Sequence, residues 1–188
     1  IVCVSKTTRD DFAQYFPAID NRILAIHNIQ DIQEIFNKAN EVVSDPFDKK
    51  YYTLVSVGRM SPQKRFAHIP KIASELVSSG VTNFRWYIIG DGNKGGEYDR
   101  FLEAMDKYQM RDYVKPIGSR VNPYPYIQSA DALVIPSSYE ACPRVVAEAH
   151  ILKVPVISAD YSSASEFVHH GVDGFIGTID EQKDLIIK

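Results

Sequence analysis

The sequence predicts an α/β domain, a parallel sheet flanked by helices on both faces. Two observations carry that expectation. Apolar runs of four to seven residues alternate with longer stretches of helical period, as strands and their crossover helices do when a sheet is parallel. The short runs are rich in Val, Ile and aromatics and are bounded by Gly, Pro, Asp or Ser, as strands covered on both faces are.

Taken in order, the first fifty residues form a strand-helix unit of their own. Val2 to Val4 and Ile23 to Ile26 read as strands, with a capped helix from Thr7 or Thr8 between them and a second helix after Asp31. The polar stretch Ser44 to Lys50, with Asp45-Pro46 inside it, reads as a hinge. This divides the chain into a crossover segment, residues 1–50, and a main domain, residues 51–188.

In the main domain the strands fall at Thr53 to Val57, Phe84 to Ile89, near Val114 to Ile117, at Ala132 to Ile135 and at Val154 to Ile157. Between the first two, Phe66, Ile69, Ile72, Ala73 and Leu76 make an apolar stripe on a helix over Lys64 to Ser79. Pro70 falls inside it and marks a kink or a short first turn. Glu97 to Tyr108 repeats the device with Phe101, Met105 and Tyr108, and its early acids suit a helix start. Arg144 to Leu152 follows with Val145, Ala149 and Leu152. The first residues, Ile1 to Val4, and the last, Asp184 to Lys188, look like cuts through structure.

Composition excludes several function classes. The chain has 188 residues, 45% hydrophobic and 24% charged, with a net charge of -3, so no basic field marks it for nucleic acid. Cys3 and Cys142 have no C-x-x-C spacing, which suggests neither a disulfide framework nor a zinc knuckle and fits a reducing cytosol. No run approaches the roughly 18 apolar residues of a membrane-spanning helix. No D-x-D suggests a metal-dependent transfer, and the adjacent His169-His170 cannot both face one ion from regular structure.

Chemistry concentrates in two segments. In Ile135 to Glu148 a strand ends at Pro136, a loop carries Glu140, and a helix begins near Pro143, whose missing N–H is unneeded in a first turn. Backbone N–H groups from Ala141 through Cys142 and Arg144 to Val145 then make an anion site at the carboxyl edge of the sheet. Glu140 and Glu148 bracket it and suit sugar and ribose hydroxyls, although a loop surface residue and a solvated helix face would leave the same trace. In the second segment a strand leaves through Gly58 into Arg59 and Lys64, both able to reach a diphosphate. Cys142 near a helix start has no partner base and reads as backbone support.

These segments, with Ile89-Gly90-Asp91-Gly92, Pro116-Ile117-Gly118, Asn122 to Tyr126, Ser129-Ala130-Asp131, Pro155 to Ile157 and Asp173-Gly174-Phe175, resemble in content and order the group 1 (family 4) retaining glycosyltransferases of GT-B architecture. That architecture sets two Rossmann-like domains face to face across a cleft, and the resemblance is to the C-terminal, donor-binding one. It implies that Arg59 and Lys64 neutralise a nucleotide-sugar diphosphate, that Glu140 holds the sugar and Glu148 the ribose, and that Pro116, Ile117 and Gly118 meet the base. Gly58, Gly90 and residues 141–145 would line the donor. Catalysis would need no metal or other cofactor, keep anomeric configuration, and rest on leaving-group stabilisation by Arg59 and Lys64 and on positioning of the sugar by Glu140.

The resemblance further implies a UDP-sugar donor carrying a hexose or N-acetylhexosamine, and a glycan or lipid-linked acceptor bound by a missing N-terminal domain. Asn122 to Tyr126 leans toward enzymes of capsule and lipopolysaccharide synthesis. The expected location is the cytoplasm, with room for the full-length enzyme to sit at the inner face of the cytoplasmic membrane. Two positions depart from the family pattern. Ala141-Cys142 replaces Gly-Phe, and Arg65 follows Lys64 where Gly is usual.

Other readings compete. Gly90 to Gly95 is a literal G-x-G-x-x-G and raises a dinucleotide-binding dehydrogenase, but the next strand offers Lys115 and Pro116 where a ribose-binding acid is wanted. A nucleotide-sugar epimerase or hydrolase of the same architecture, or a non-catalytic binding module, would share the fold.

Overall fold

The computed structural model describes residues 1–188. The chain opens with β1 (Val2–Cys3), α1 (Lys6–Tyr15) and β2 (Leu24–Ala25), and the two short strands pair in parallel with each other alone. Ser5 caps α1, its Oγ accepting from the Thr8 N–H at 3.1 Å, so the helix starts ahead of Thr7. A two-stranded ribbon is marginal by itself. One carboxylate ties it down: Glu166 accepts from the Lys6 N–H at 2.7 Å and the Thr7 N–H at 3.2 Å, and lies 2.5 Å from His27 Nε2. Burial alone would raise the Glu166 carboxyl, but these contacts together hold it below the usual range.

Next comes α2 (Ile32–Ala39), capped by Asp31, whose carboxylate accepts from the Glu34 N–H at 2.9 Å. The structure draws this helix and the stretch after it into the main domain. Ile35, Ala39 and Phe47 are buried in its core, and the Phe47 ring stacks on Tyr87 at 4.0 Å. The polar stretch Ser44 to Lys50 is therefore anchored by an aromatic rather than standing apart as a hinge, and the packed core reaches back before residue 50.

The main sheet has six strands: β3 (Tyr52–Val57), β4 (Phe84–Ile89), β5 (Val114–Gly118), β6 (Ala132–Ile135), β7 (Val156–Ala159) and β8 (Gly174–Gly177). All pair in parallel, in the order β5-β4-β3-β6-β7-β8. Side chains alternate between the faces, as the two-residue period of a strand requires. Val55, Ile89, Leu133, Ile135 and Val156 enter the core beneath α2, α5 (Tyr124–Gln128) and α6 (Arg144–Ile151). Leu54, Trp86, Ile88, Val134 and Ile157 enter the core beneath α3 (Ile69–Ser78), α4 (Glu97–Lys107) and α8 (Gln182–Ile187). A short α7 (Ala164–Phe167) carries Glu166.

Polar groups inside the sheet are paired. Trp86 Nε1 donates to Ser56 Oγ at 3.0 Å, and Ser56 Oγ donates to the Val134 carbonyl at 2.6 Å, linking three adjacent strands.

Three helices end on one device. At α3, α4 and α6 the last turn is followed by a residue of positive φ, Gly80 (93°), Gln109 (55°) and Lys153 (60°). The next N–H reaches back to the helix: Val81 to Leu76, Met110 to Met105, Val154 to Ala149, at 3.0, 3.0 and 2.9 Å. This is the closing motif in which glycine is favoured and a following apolar residue packs back. Val154 belongs to that turn, which is why β7 begins at Val156 rather than at Val154. Gln109 and Lys153 carry a Cβ in a conformation that disfavours one. Gln109→Gly and Lys153→Gly are expected to raise stability by about 0.5 to 1 kcal/mol each, additively, in urea unfolding.

Candidate functional site

Strand order reverses between β3 and β6. The chain lays β4 and β5 outward on one side of β3, then returns to lay β6, β7 and β8 on the other. At such a switch point the loops leaving the two central strands diverge and open a crevice at the carboxyl edge. The loops leaving β3 and β6 are the two segments singled out by sequence.

They are joined there. Lys64 Nζ lies 2.6 Å from Glu140 Oε1, which also accepts from Ser137 Oγ at 2.8 Å. The Gln63 carbonyl accepts the Ser138 N–H at 2.8 Å, and Gln63 Nε2 donates to the Tyr139 carbonyl at 2.6 Å. Behind the loop, Ser163 Oγ donates to the Glu140 carbonyl at 2.6 Å. The Glu140 side chain is 10% exposed and that of Lys64 21%, so the pair is largely desolvated but its ammonium still meets the crevice. Lys64 ends a 3-10 turn, Pro62–Lys64, ahead of α3. The helix predicted from Lys64 starts at Ile69, with Pro70 in its first turn.

Close backbone approach shapes the same edge. The Gly58 N–H donates to the Ile89 carbonyl at 2.9 Å, and the Gly90 N–H to that of Gly118 at 3.0 Å. A Cβ on Gly90 would fall 1.8 Å from the Gly58 oxygen, so no other residue fits. The two departures from the family pattern resolve differently. Arg65 does adopt the left-handed conformation, φ 53° and ψ 30°, that a glycine there would take freely. Ala141 does not have positive φ.

Pro143 takes the N-cap position of α6, φ -72° and ψ 104°, one residue outside the first turn. The N–H groups of Arg144 and Val145 have no partner within the chain, as expected at the start of a helix. Glu148 is buried one turn further, 3.5 Å from the Tyr124 hydroxyl and 3.8 Å from Arg144. Burial pushes its carboxyl above the ordinary range, against the pull of Arg144 and Tyr124.

Arg59 is exposed, makes no ion pair, and lines a cavity of about 240 Å³ with Gln63, Asp91 and Lys94. It follows Gly58, on which the Lys64 side chain lies, and makes no hydrogen bond to Lys64 or Glu140. Pro116, Ile117 and Gly118 lie at the exit of β5, two strands from β3. Sequence reasoning did not single out Ser137, Ser163, Gln63 and Tyr124. Single loop serines carry no sequence signal, while Tyr124 stood within the Asn122 to Tyr126 motif.

Gly90 to Gly95 leads to a helix start satisfied by the chain itself. Asn93 Oδ1 accepts the N–H groups of Tyr98 at 2.9 Å and Asp99 at 3.4 Å, and Glu97 and Asp99 occupy the first turn. Carboxylates already complement the positive end of α4, against the use of this loop for a dinucleotide phosphate. His169 Nδ1 lies 2.6 Å from Asp173, and His170 Nδ1 accepts the Ile176 N–H at 3.0 Å. No helix is long and apolar enough to cross a membrane.

A sequence profile described as glycosyl transferases group 1 matches residues 37–188. The chain belongs to that family. Among its relatives is an uncharacterized glycosyltransferase of Methanocaldococcus jannaschii, 23% identical over 85% of this chain and 39% of the other. Another is the N-acetylgalactosamine-N,N'-diacetylbacillosaminyl-diphospho-undecaprenol 4-alpha-N-acetylgalactosaminyltransferase of Campylobacter jejuni, 23% identical over 96% of this chain and 47% of the other. The chain thus spans under half the length of these two curated relatives.

Among solved structures, HepE of Anabaena in complex with UDP superposes with a TM-score of 0.80 at 21% identity, over 99% of this chain and 52% of that one. A TarM variant of S. aureus, solved with Fondaparinux, alpha-GlcNAc-glycerol and UDP, gives 0.81 at 20% identity, over 99% of this chain and 36% of that one. The fold is that of one Rossmann-like half of a GT-B glycosyltransferase.

Within this group 1 domain the two cations separate by their partners. Lys64→Ala strands the buried Glu140 carboxylate and is expected to cost about 1 to 3 kcal/mol, read in urea unfolding. Arg59→Ala should stay within about 0.5 kcal/mol of the parent in the same assay. Glu148→Gln has the opposite sign. A carboxyl whose folded value is raised is penalised only once ionised, so the penalty is absent below the ordinary carboxylate range and complete above the raised value. Melting curves from pH 4 to 8 should show Glu148→Gln gaining on the parent as pH rises.

Proposed function

We propose that the chain is the donor-binding half of a retaining glycosyltransferase that moves a hexose or N-acetylhexosamine from a UDP-sugar to a glycan or lipid-linked acceptor. The observation that carries this reading is the Lys64–Glu140 pair, 2.6 Å apart at the switch point of the sheet, with Glu140 in the loop that leads into α6 and its unpartnered N–H groups. The diphosphate lies between Lys64, Arg59 and the N–H groups of Arg144 and Val145, where charge leaving with the nucleotide is met by groups already in position. Glu140, locked by Lys64 and Ser137, presents its carboxylate to sugar hydroxyls. Glu148 and the Tyr124 hydroxyl receive the ribose, and the exit of β5 at Pro116 to Gly118 receives the base.

Glycosyl transfer with retention follows from front-face attack, in which the departing phosphate helps to take the proton of the acceptor hydroxyl. Lys64 and the α6 amides steady that phosphate in place of a metal ion. The structures of HepE with UDP and with UDP-glucose favour UDP as the nucleotide. Relatives named for amylovoran biosynthesis in Erwinia amylovora and lipopolysaccharide core biosynthesis in Rhizobium meliloti favour an envelope polysaccharide as the product. The acceptor binds to a second domain of the full-length enzyme.

Calorimetric titration of UDP, GDP and NADH into the 188-residue chain, without added metal, tests the reading. UDP should bind, and Arg59→Ala with Lys64→Ala should weaken it about tenfold to a hundredfold, the value of one or two charge-assisted contacts. The chain alone should transfer no sugar. Binding of NADH and of neither nucleoside diphosphate would overturn the assignment.

A further inference from the structure

The exit of β5 leaves the regular ladder, although the Gly118 carbonyl still accepts the Gly90 N–H at 3.0 Å. Ile88 pairs with Pro116 and Ile89 with Gly118, so the register shifts and Ile117 is an extra residue on its strand. A bulged residue stands outside the regular ladder, and Gly118 follows it with φ 74°. The ladder alone therefore does not fix the bulged Ile117, and something else adds to it.

That something is one guanidinium. Arg120 Nη1 donates to the carbonyl of Ile117 and to that of Ser119 at 3.2 Å, Nε donates to the Tyr126 hydroxyl at 3.2 Å, and Nη2 lies 2.5 Å from Asp45. The Tyr126 hydroxyl also donates to Asp45. A planar fork of fixed donors fixes the relative places of all its acceptors, which a single ammonium cannot do. The anchor behind it is rigid: Tyr126 is 3% exposed and packs on Phe47 at 5.4 Å, and Phe47 stacks on Tyr87 of β4, the neighbour of β5. Asp45 neutralises Arg120 locally, so this cation is spent within the chain, unlike Arg59.

We infer that Arg120, braced by Asp45 and Tyr126, is a positioning residue that holds the Ile117 carbonyl and the bulged exit of β5 in the shape that reads the nucleotide base. This rests on the assignment of residues 116–118 to the base. The hydrogen bonds of Arg120 all go to Ile117, Ser119, Tyr126 and Asp45 rather than toward Lys64 or the start of α6, so on this inference it governs base affinity and leaves diphosphate affinity alone.

The test compares UDP, GDP and inorganic pyrophosphate by titration into the parent chain, Arg120→Ala, Arg120→Lys and Asp45→Asn, with melting curves to verify folding. Arg120→Ala should weaken UDP about tenfold, narrow the ratio of UDP to GDP affinity, and leave pyrophosphate within about twofold. Arg120→Lys should not restore UDP binding, and Asp45→Asn should produce a smaller loss of the same kind. Asp45→Asn decides the matter if Arg120→Ala does not fold. Equal losses for UDP and pyrophosphate, unchanged UDP binding, or full rescue by lysine would each overturn the inference. A parent chain that binds neither UDP nor GDP would instead remove the donor-site reading, and this inference with it.

Discussion

A parallel sheet has no face to give to water. Each strand must return to its starting edge through a crossover, and the crossovers cover both sides. Val55 and Leu54, adjacent in sequence, enter different cores, and this two-sided burial constrains everything else in the domain. Side chains cannot leave the faces to do chemistry, so chemistry is confined to the edges. The carboxyl edge gathers the strand exits and the starts of the returning helices, where N–H groups lack partners. The reversal of order between β3 and β6 then parts two exits and leaves Lys64, Glu140 and the start of α6 around one crevice.

Loops at that edge carry polar groups that cannot be left unpaired, and the chain meets the requirement with neighbouring loops. Ser138 donates twice to the Gln63 carbonyl, Ser163 supports Glu140 from behind, and Gly90 approaches Gly58 too closely for any side chain. Stitching of this kind fixes rotamers before a ligand arrives. A carboxylate that accepts from both Lys64 and Ser137 has little freedom left to lose on meeting any further donor, and such preorganisation favours affinity.

Much of this was legible in the sequence, for physical reasons. β3, β4 and β6 fall within a residue of their predicted places because full burial demands an unbroken apolar run. The meeting of the β3 and β6 loops was legible because Gly58, Lys64, Glu140 and Pro143 are residues whose chemistry speaks without context. The misjudged places share one cause, tertiary packing that overrides local composition. Ser44 to Lys50 is polar, but its one aromatic, Phe47, anchors it beneath the sheet. Val154 belongs to a helix-closing turn and not to β7. β8 contains two glycines, and Gly174 is packed so closely on β7 that a Cβ would sit 2.1 Å from the Val156 oxygen. Its strand character comes from its neighbour rather than from its residues.

The same tension explains where the domain tolerates local cost. Arg65 occupies a left-handed conformation that glycine would take freely, immediately after Lys64, and Glu148 ionises in a buried position that raises its carboxyl. Neither choice serves the stability of the free domain. Arg65 faces the cavity between α3 and α4, but the turn it closes delivers the Lys64 ammonium to Glu140, and Glu148 lies one turn into α6. Gln109 and Lys153 carry a similar backbone penalty far from the crevice, at helix ends where glycine is the usual solution, so strain by itself does not mark the site.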